Sequence, residues 1–274
     1  MNERILLRGG GDLASGVALR LHHAGFQVVI AELPRPLAVR RLVSFSEAVY
    51  EGQITVEDVT AHLVTPEAID ESLSRREIPI LIDPNADTLL RFAFYAVVDA
   101  RLLKTHPSPL PTSPPLHIGL GPGFSAPRDC HAVIETRRGH TLGRVLWQGQ
   151  SAPDSGQPEG DPRRVLRAEE DGALISHARI GDHLEAGQII AEIQSSIENR
   201  KSQIVSPFKG VLRGILRDGM DVTRGLKLGD VDARDDPALC RLVSDKALAI
   251  GGGVLEAILT NQYRKIHFAP FAAQ

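Results

Sequence analysis

The feature that most constrains the fold is a run of glycines between a short apolar strand and a helix. The strand is predicted at residues 5–7 and is followed by Gly9-Gly10-Gly11-Asp12-Leu13-Ala14. In the β-α-β unit of Rossmann folds, Gly9 permits the tight turn, Gly11 lets the backbone approach a pyrophosphate, and Ala14 packs the helix close to the strand. The free N–H groups at the start of the helix attract phosphates. We name residues 9–14 the glycine turn.

Residues 1–120 alternate between strand-like and helix-like segments, which is typical of α/β folds. The spacing predicts helices at residues 12–24 and 66–75, and strands at residues 27–31, 40–45, 78–82, 95–98 and 116–120. Glu32 ends the second strand at the spacing expected of a ribose-hydroxyl acceptor. We therefore predict an N-terminal Rossmann-like parallel-sheet domain over residues 1–128. The alternative is a tight turn, or a related domain, that binds no nucleotide.

Further candidate ligand contacts follow the later strands. Asp83 and Asp99 end two of them, and Gly121-Pro122-Gly123-Phe124 follows another, with Phe124 expected to be exposed. Open α/β sheets bind ligands at these carboxyl ends. The predicted binding residues are Gly9, Gly11, Asp12, Ala14, Glu32, Asp83, Gly121, Gly123 and Phe124. For the two aspartates alone, a role in turns is the better interpretation.

A predicted β-hairpin at residues 131–148 carries the candidate catalytic groups His131, Glu135 and His140. A His/Glu/His set could move protons or bind a metal. Its spacing matches no zinc motif, so we predict no metal site. The alternative, a polar strand face and a charged turn, is favoured. The neighbouring residues Arg137, Arg138 and Arg144 suit an anionic ligand.

The second half of the chain contains an internal repeat. Residues 171–193 align without gaps on residues 209–231, with several glycines in register. After a hairpin and linker at 129–162, this repeat predicts a barrel-sandwich hybrid of the lipoyl or biotinyl kind at 163–234, followed by a helical segment at 235–274. Lys201 lies between the repeats without the Met-Lys-Met sequence of biotinyl domains, which disfavours a carrier.

Composition narrows the cellular setting and the partners. The net charge is -3, which does not indicate a nucleic-acid binder, and no apolar run approaches the roughly 20 residues that span a bilayer. The N-terminus resembles neither a signal nor a transit peptide. The widely separated Cys130 and Cys240 are expected to be reduced thiols. We therefore expect a cytoplasmic protein that contacts neither nucleic acid nor membrane. The composition leaves a homo-oligomer open.

Several motifs occur in a characteristic order along the chain. They are Gly9-Gly10-Gly11-Asp12-Leu13-Ala14 with Gly16, Ala48-Val49-Tyr50-Glu51-Gly52, Gly119-Leu120-Gly121-Pro122-Gly123-Phe124, Arg138-Gly139-His140-Thr141-Leu142-Gly143-Arg144-Val145, Ser244-Asp245-Lys246-Ala247 and Gly252-Gly253-Val254-Leu255-Glu256-Ala257. Together they resemble the YqeB family. The resemblance implies an accessory or maturation factor for selenium-dependent molybdenum hydroxylases. The N-terminal unit is also similar in kind to the nucleotide-binding half of the XdhC maturation factors.

Motifs and resemblance together lead to one hypothesis and two alternatives. The hypothesis is an accessory factor that serves a molybdenum hydroxylase client and binds a nucleotide-type small molecule at the glycine turn. The ligand would be NAD(P) or the molybdenum cofactor as a molybdopterin nucleotide. The first alternative is an NAD(P)-dependent oxidoreductase, which would need a positioned acid or base beside the nicotinamide. The second is a non-catalytic carrier or scaffold module.

Overall fold

The computed structural model describes residues 3–154, 156, 160–195 and 201–267. None of the helices in these ranges has the length and apolar character needed to cross a membrane. Residues 155 and 157–159 of the predicted linker lie outside the described residues. So do residues 196–200 of the segment between the repeats and residues 268–274 of the predicted helical end.

The first part of the chain is built mainly from strands. They are β1 (Arg4–Arg8), β2 (Gln27–Glu32), β3 (Gln53–Val56), β4 (Val59–Leu63), β5 (Ile78–Ile82), β6 (Ala96–Asp99), β7 (His117–Leu120), β8 (Ser125–Ala126), β9 (Ala132–Ile134), β10 (Val145–Leu146) and β11 (Gly149–Gln150). The helices are α1 (Asp12–His23), α2 (Ala48–Glu51), α3 (Ile69–Ser74) and, after the repeats, α4 (Asp245–His267).

Within the described residues, nine of these strands form one sheet in the order β10-β9-β7-β6-β1-β2-β5-β4-β3. Every pair from β9 to β4 is parallel, whereas β10 and β3 pair antiparallel at the two edges. Alternate residues of each strand face opposite sides. One side packs against α1 and α4 through Ile5, Leu7 and Ile118. The other side packs against α3 through Leu6 and Val97.

The predicted Rossmann-like parallel-sheet domain is wrong as a description of this fold. The sheet is mixed, and helices do not make most of its crossovers. Residues 100–116 join β6 to β7 without a helix, because their prolines lack the backbone N–H groups and the space that a helix requires. The strand predicted at residues 40–45 is instead two short 3-10 turns, Arg41–Val43 and Phe45–Glu47. The hairpin strands β9 and β10 belong to the large sheet rather than to a separate extension.

The repeat region adds the strands β12 (Val165–Arg167), β13 (Gly172–Ser176), β14 (His183–Leu184), β15 (Ile189–Gln194), β16 (Lys201–Val205), β17 (Gly210–Ile215), β18 (Asp221–Val222) and β19 (Lys227–Asp232). Within the described residues, they form two four-stranded sheets, β12-β19-β17-β14 and β16-β15-β13-β18. Each repeat gives its short middle strand to the other repeat's sheet, since β14 pairs with β17 and β18 pairs with β13. Apolar residues of both repeats share one core.

The predicted lipoyl- or biotinyl-like barrel is also wrong as a description of this region. β12, which precedes the repeat, extends one of the sheets, so the repeats alone do not complete the unit. The unit is also fixed to the first part of the chain. A Cβ atom on Gly214 would lie 2.6 Å from the carbonyl oxygen of Val39, whose side chain packs on the repeat core. Lys201 begins a strand and donates a hydrogen bond to Glu192 at 3.1 Å.

Candidate functional site

The candidate site lies where the first and last long helices begin. A Cβ atom on Gly16 of α1 would lie 2.6 Å from the backbone of Ala247, and one on Gly251 would lie 2.7 Å from the Gly16 carbonyl oxygen. A Cβ on Gly251 would also contact Arg20, which lies one turn further along α1 than Gly16. Because later residues of α4 meet later residues of α1, the two helices run parallel. The Asn261 amide near the end of α4 donates to the hydroxyl of Tyr95, which immediately precedes β6. Both helices therefore start at the carboxyl edge of the parallel strands.

The glycine turn connects β1 to α1 at this edge. Gly9 has a φ of +95°, a conformation that favours glycine, and its N–H donates to the Ala31 carbonyl at 2.8 Å. Apart from Gly11 and its two chain neighbours, no described residue has a heavy atom within 4 Å of the position that a Cβ on Gly11 would take. Gly11 caps α1 without a side-chain hydrogen bond. The backbone at the start of α1 is therefore not covered by a side chain at the Gly11 Cβ position.

Glu32 holds the glycine turn from the end of β2. Its carboxylate accepts the Gly10 N–H at 2.6 Å and the Leu33 N–H at 2.7 Å. Burial raises the pKa of this carboxyl group, against the lowering effect of the two N–H donors. The predicted ribose acceptor is therefore engaged with the protein backbone. It fixes the turn and occupies one of the N–H groups that a phosphate could have used.

Arg40 links the starts of the two helices, and the sequence motifs did not reveal it. Its guanidinium donates to the Asp12 carboxylate at 3.1 Å and to the Leu242 carbonyl at 2.9 Å. Arg40 is 6% exposed, and its Nε has no hydrogen-bond partner among the described residues. The Arg40–Asp12 ion pair offsets the charge of the guanidinium, and its Nε–H remains as an unused buried donor beside the glycine turn. Its partners at residues 239 and 242 are too distant in sequence for a local pattern to show them.

The turn of the β9–β10 hairpin rests on α4. Arg138 forms two hydrogen bonds of 2.6 and 2.7 Å with Asp245, which lower the pKa of that carboxyl to about 2. A Cβ on Gly253 would lie 2.0 Å from the carbonyl oxygen of Gly143. These contacts place the exposed His140 on the α1/α4 side of the sheet, near the start of α4.

The other two candidate catalytic groups do not join His140. Glu135 is buried, and its carboxylate accepts the N–H groups of Arg137 at 2.7 Å and Ala152 at 2.8 Å, so it shapes the loop. His131 lies just before β9, at the opposite end of that strand from the hairpin turn. Within the described ranges, no group of three or more histidine, cysteine or acidic residues is arranged to hold a metal ion.

The remaining predicted contacts serve mainly in folding. The Asp83 carboxylate accepts hydrogen bonds from the backbone of Asp87 and from Thr88. Asp83 thereby caps the 3-10 turn that follows it. Phe124 is 1% exposed, contrary to the expected exposure, and packs against Gly119. A Cβ on Gly123 would lie 2.5 Å from the Leu103 carbonyl oxygen. Ala14 lies in the α1 core as predicted. Gly121 has a φ of +83°, and a Cβ there would lie 3.2 Å from the Thr136 hydroxyl.

Comparison with known proteins supports the resemblance found in the motifs. The chain is 44% identical over 263 residues to an uncharacterised protein of Escherichia coli (strain K12) named YqeB. The match covers 94% of the chain and 48% of YqeB, so the chain spans about half the length of this relative. The resemblance to the YqeB family is thus confirmed. No protein-family model matches the chain.

Solved structures give only low similarity scores. An aspartoacylase family protein from Mesorhizobium loti is 15% identical, with a TM-score of 0.27 and 84% of each chain covered. A succinylglutamate desuccinylase from Silicibacter is 13% identical, with the same TM-score and coverage. A TM-score of 0.27 does not establish a shared fold.

Proposed function

We propose that this chain is an accessory factor in the maturation of selenium-dependent molybdenum hydroxylases. In this proposal it binds a nucleotide or pterin-nucleotide anion where α1 and α4 begin. The supporting observation is that four of the motifs that resemble the YqeB family meet there. Gly16 contacts Ala247, Arg138 pairs with Asp245, and Gly143 contacts Gly253. Residues far apart in the sequence thus build one cleft beside the glycine turn.

Helix dipoles and open backbone space are the features of the cleft that suit a phosphate. Two parallel helices start side by side and bring the positive ends of their dipoles to one edge, and the Ala247 N–H in the first turn of α4 is already bonded to Ser244 Oγ. The open space at Gly11 lets a ligand approach the backbone, while Arg40, which is paired with the Asp12 carboxylate, keeps its Nε–H without a partner among the described residues. Glu32 keeps the turn in shape by its bond to Gly10. We assign it a positioning role rather than direct contact with the ligand.

The positions of the candidate catalytic groups favour binding over hydride transfer. Both carboxylate oxygens of Glu135 accept backbone N–H groups, and His131 lies at the far end of β9. Of the three candidates, only His140 is exposed near the cleft. An oxidoreductase needs an acid or base aligned with its substrate. The geometry therefore supports a ligand-holding protein better than the oxidoreductase alternative.

Calorimetric titration of the whole chain with CDP, GDP and NADP+ tests the binding step. We expect at least one of these anions to bind wild type, and Gly11→Val to weaken it about tenfold or more. Gly11 has extended backbone angles and free space, so valine should not disturb folding. Gly252→Val is the matched control, because it also adds a side chain at an open glycine, two turns into α4. Absence of binding, or equal affinity of Gly11→Val and wild type, would contradict the binding proposal.

A second experiment tests the accessory role separately. Cells that lack the protein should produce the client hydroxylase with reduced molybdenum content, measured by inductively coupled plasma mass spectrometry. Wild type and Gly252→Val should restore the metal content, whereas Gly11→Val should not. Full metal content without the protein would contradict the maturation role. That outcome would not change the conclusion about ligand binding drawn from the titration.

A further inference from the structure

One edge of the nine-stranded sheet ends in an unprotected strand. β3 is the outermost strand there, four strands away from β1, and pairs on one side only, with β4. Among the described edge strands, β3 is the longest without a charged residue, since it reads Gln53-Ile54-Thr55-Val56, whereas the longer β16 begins with Lys201. Natural sheets protect open edges with charges, prolines or bulges, because unpaired backbone groups bind further strands. β3 has none of these features, so we expect this edge to be covered in solution.

The register of the β3–β4 pair identifies the backbone groups that point outward. The Leu63 N–H of β4 donates to the Gly52 carbonyl at 2.8 Å, and Ile54 lies two residues further along the same ladder. Hydrogen-bonded and non-hydrogen-bonded pairs alternate along an antiparallel ladder. Ile54 is therefore bonded to β4, whereas the N–H and C=O groups of Gln53 and Thr55 point away from β4. Both of these residues are exposed.

Ile54 gives this edge an apolar side. Alternate residues of a strand face the same side of the sheet, and Val56 is fully buried in the core that includes α1. Ile54 packs against the same core but is only half-buried, since no described strand lies beyond β3 to cover its outer flank. A strand added at this edge would therefore bury more of the Ile54 side chain as well as the outward backbone groups.

We propose that a second copy of this chain pairs with β3 across a two-fold axis and continues the sheet. In antiparallel pairing centred on Ile54, Gln53 of each copy lies opposite Thr55 of the other. Each of these two pairs exchanges two hydrogen bonds. The four bonds use every outward N–H and C=O group of Gln53 and Thr55 in both copies. The edge is thus self-complementary, as a two-fold interface requires.

The side chains at this edge agree with pairing between identical strands. At the centre, Ile54 meets Ile54 of the second copy, which forms an apolar cross-strand pair. The acidic residues that flank the strand have partners in their own chain. Glu51 pairs with Arg217, and the Glu57 carboxylate accepts the Val243 N–H at 2.9 Å. Because Glu51 of one copy lies towards Glu57 of the other in this register, the Arg217 charge beside Glu51 reduces their repulsion.

Sedimentation equilibrium of the full chain over a range of concentrations tests the proposal. We expect the mass to rise with concentration from 29.7 kDa towards twice that value. Thr55→Pro removes one outward N–H per copy and no bond to β4, so the Kd of the dimer should rise about tenfold or more. Thr55→Ala is the matched control, because it loses the side-chain bond to Thr60 but keeps the N–H, and should dimerise like wild type. A wild-type mass of 29.7 kDa throughout, or equal Kd values in Thr55→Pro and Thr55→Ala, would overturn the proposal.

Amide hydrogen exchange on wild type keeps the test valid if Thr55→Pro does not fold. The Gln53 and Thr55 amides are bonded only between copies, so their exchange should slow as the protein concentration is raised. The Ile54 amide, which is bonded to β4 in each copy, is the internal control and should change much less. Exchange at Gln53 and Thr55 that is equally fast at all concentrations would refute the interface. A dimer that protects a different segment instead would also refute it.

Discussion

The consecutive glycines Gly251, Gly252 and Gly253 of α4 allow a matched test of how the hairpin is held at the cleft. A methyl group on Gly252 would meet nothing within 4 Å among the described residues, whereas one on Gly253 would lie 2.0 Å from the Gly143 carbonyl oxygen. Replacing glycine by alanine inside a helix stabilises it by about 1 kcal/mol. Gly252→Ala should therefore raise the free energy of unfolding by about that amount.

Gly253→Ala gains the same helix term but creates an overlap with a backbone atom. The carbonyl oxygen cannot rotate away as a side chain could, so the hairpin must move by about 1 Å or more. Overpacking of this kind costs about 3 kcal/mol at the upper end of its usual range. The net effect is destabilisation by about 2 kcal/mol, a difference of about 3 kcal/mol between the two variants.

Thermal unfolding followed by circular dichroism measures both effects under the same conditions. In a chain of this size, 1 kcal/mol shifts Tm by about 3 °C. The Tm should rise by about 3 °C in Gly252→Ala and fall by about 6 °C in Gly253→Ala. If Gly253→Ala is as stable as Gly252→Ala, the hairpin does not rest on α4 in the way described, and the cleft at α4 loses one of its walls.

Two further predictions concern pH. His117 has a pKa of about 4 in the folded chain against 6.5 when unfolded, so the unfolded state binds more protons between these values and stability falls as pH is lowered through that window. The loss should be about 3 kcal/mol in urea titrations at pH 7 and pH 4, and an equal loss in His117→Phe would refute the assignment. Arg138 lowers the pKa of Asp245 to about 2. The ion pair therefore adds stability that is present above the unfolded pKa of this carboxyl group and disappears as pH falls from about 4 to 2. Because both side chains are substantially exposed, Arg138→Gln should lower the free energy of unfolding by less than about 1 kcal/mol at pH 7. The variant should also lose less stability than wild type as pH falls from about 4 to 2. An unchanged acid dependence of the unfolding free energy would argue against the pair.

The sequence by itself determined the local pieces of this protein. The strand, glycine turn and helix at the N-terminus follow from apolar spacing and from the backbone freedom of glycine, and they occur at β1 and α1 as predicted. The hairpin pairing of Val145 with Ile134 also follows from short-range alternation. The antiparallel pair β3 and β4 was missed, although its residues carry strand-forming side chains around a turn at Glu57.

Tertiary structure alone decided how these pieces form a site. Arg40 reaches a carbonyl 202 residues away, and Glu32 binds Gly10 instead of remaining free for a ligand. Phe124 is buried by packing on Gly119, which no periodicity indicates. Periodicity reports only which side of an element is apolar. The partner that covers that side, and the polar atoms that burial forces into contact, depend on long-range packing between segments whose separation in sequence carries no signal.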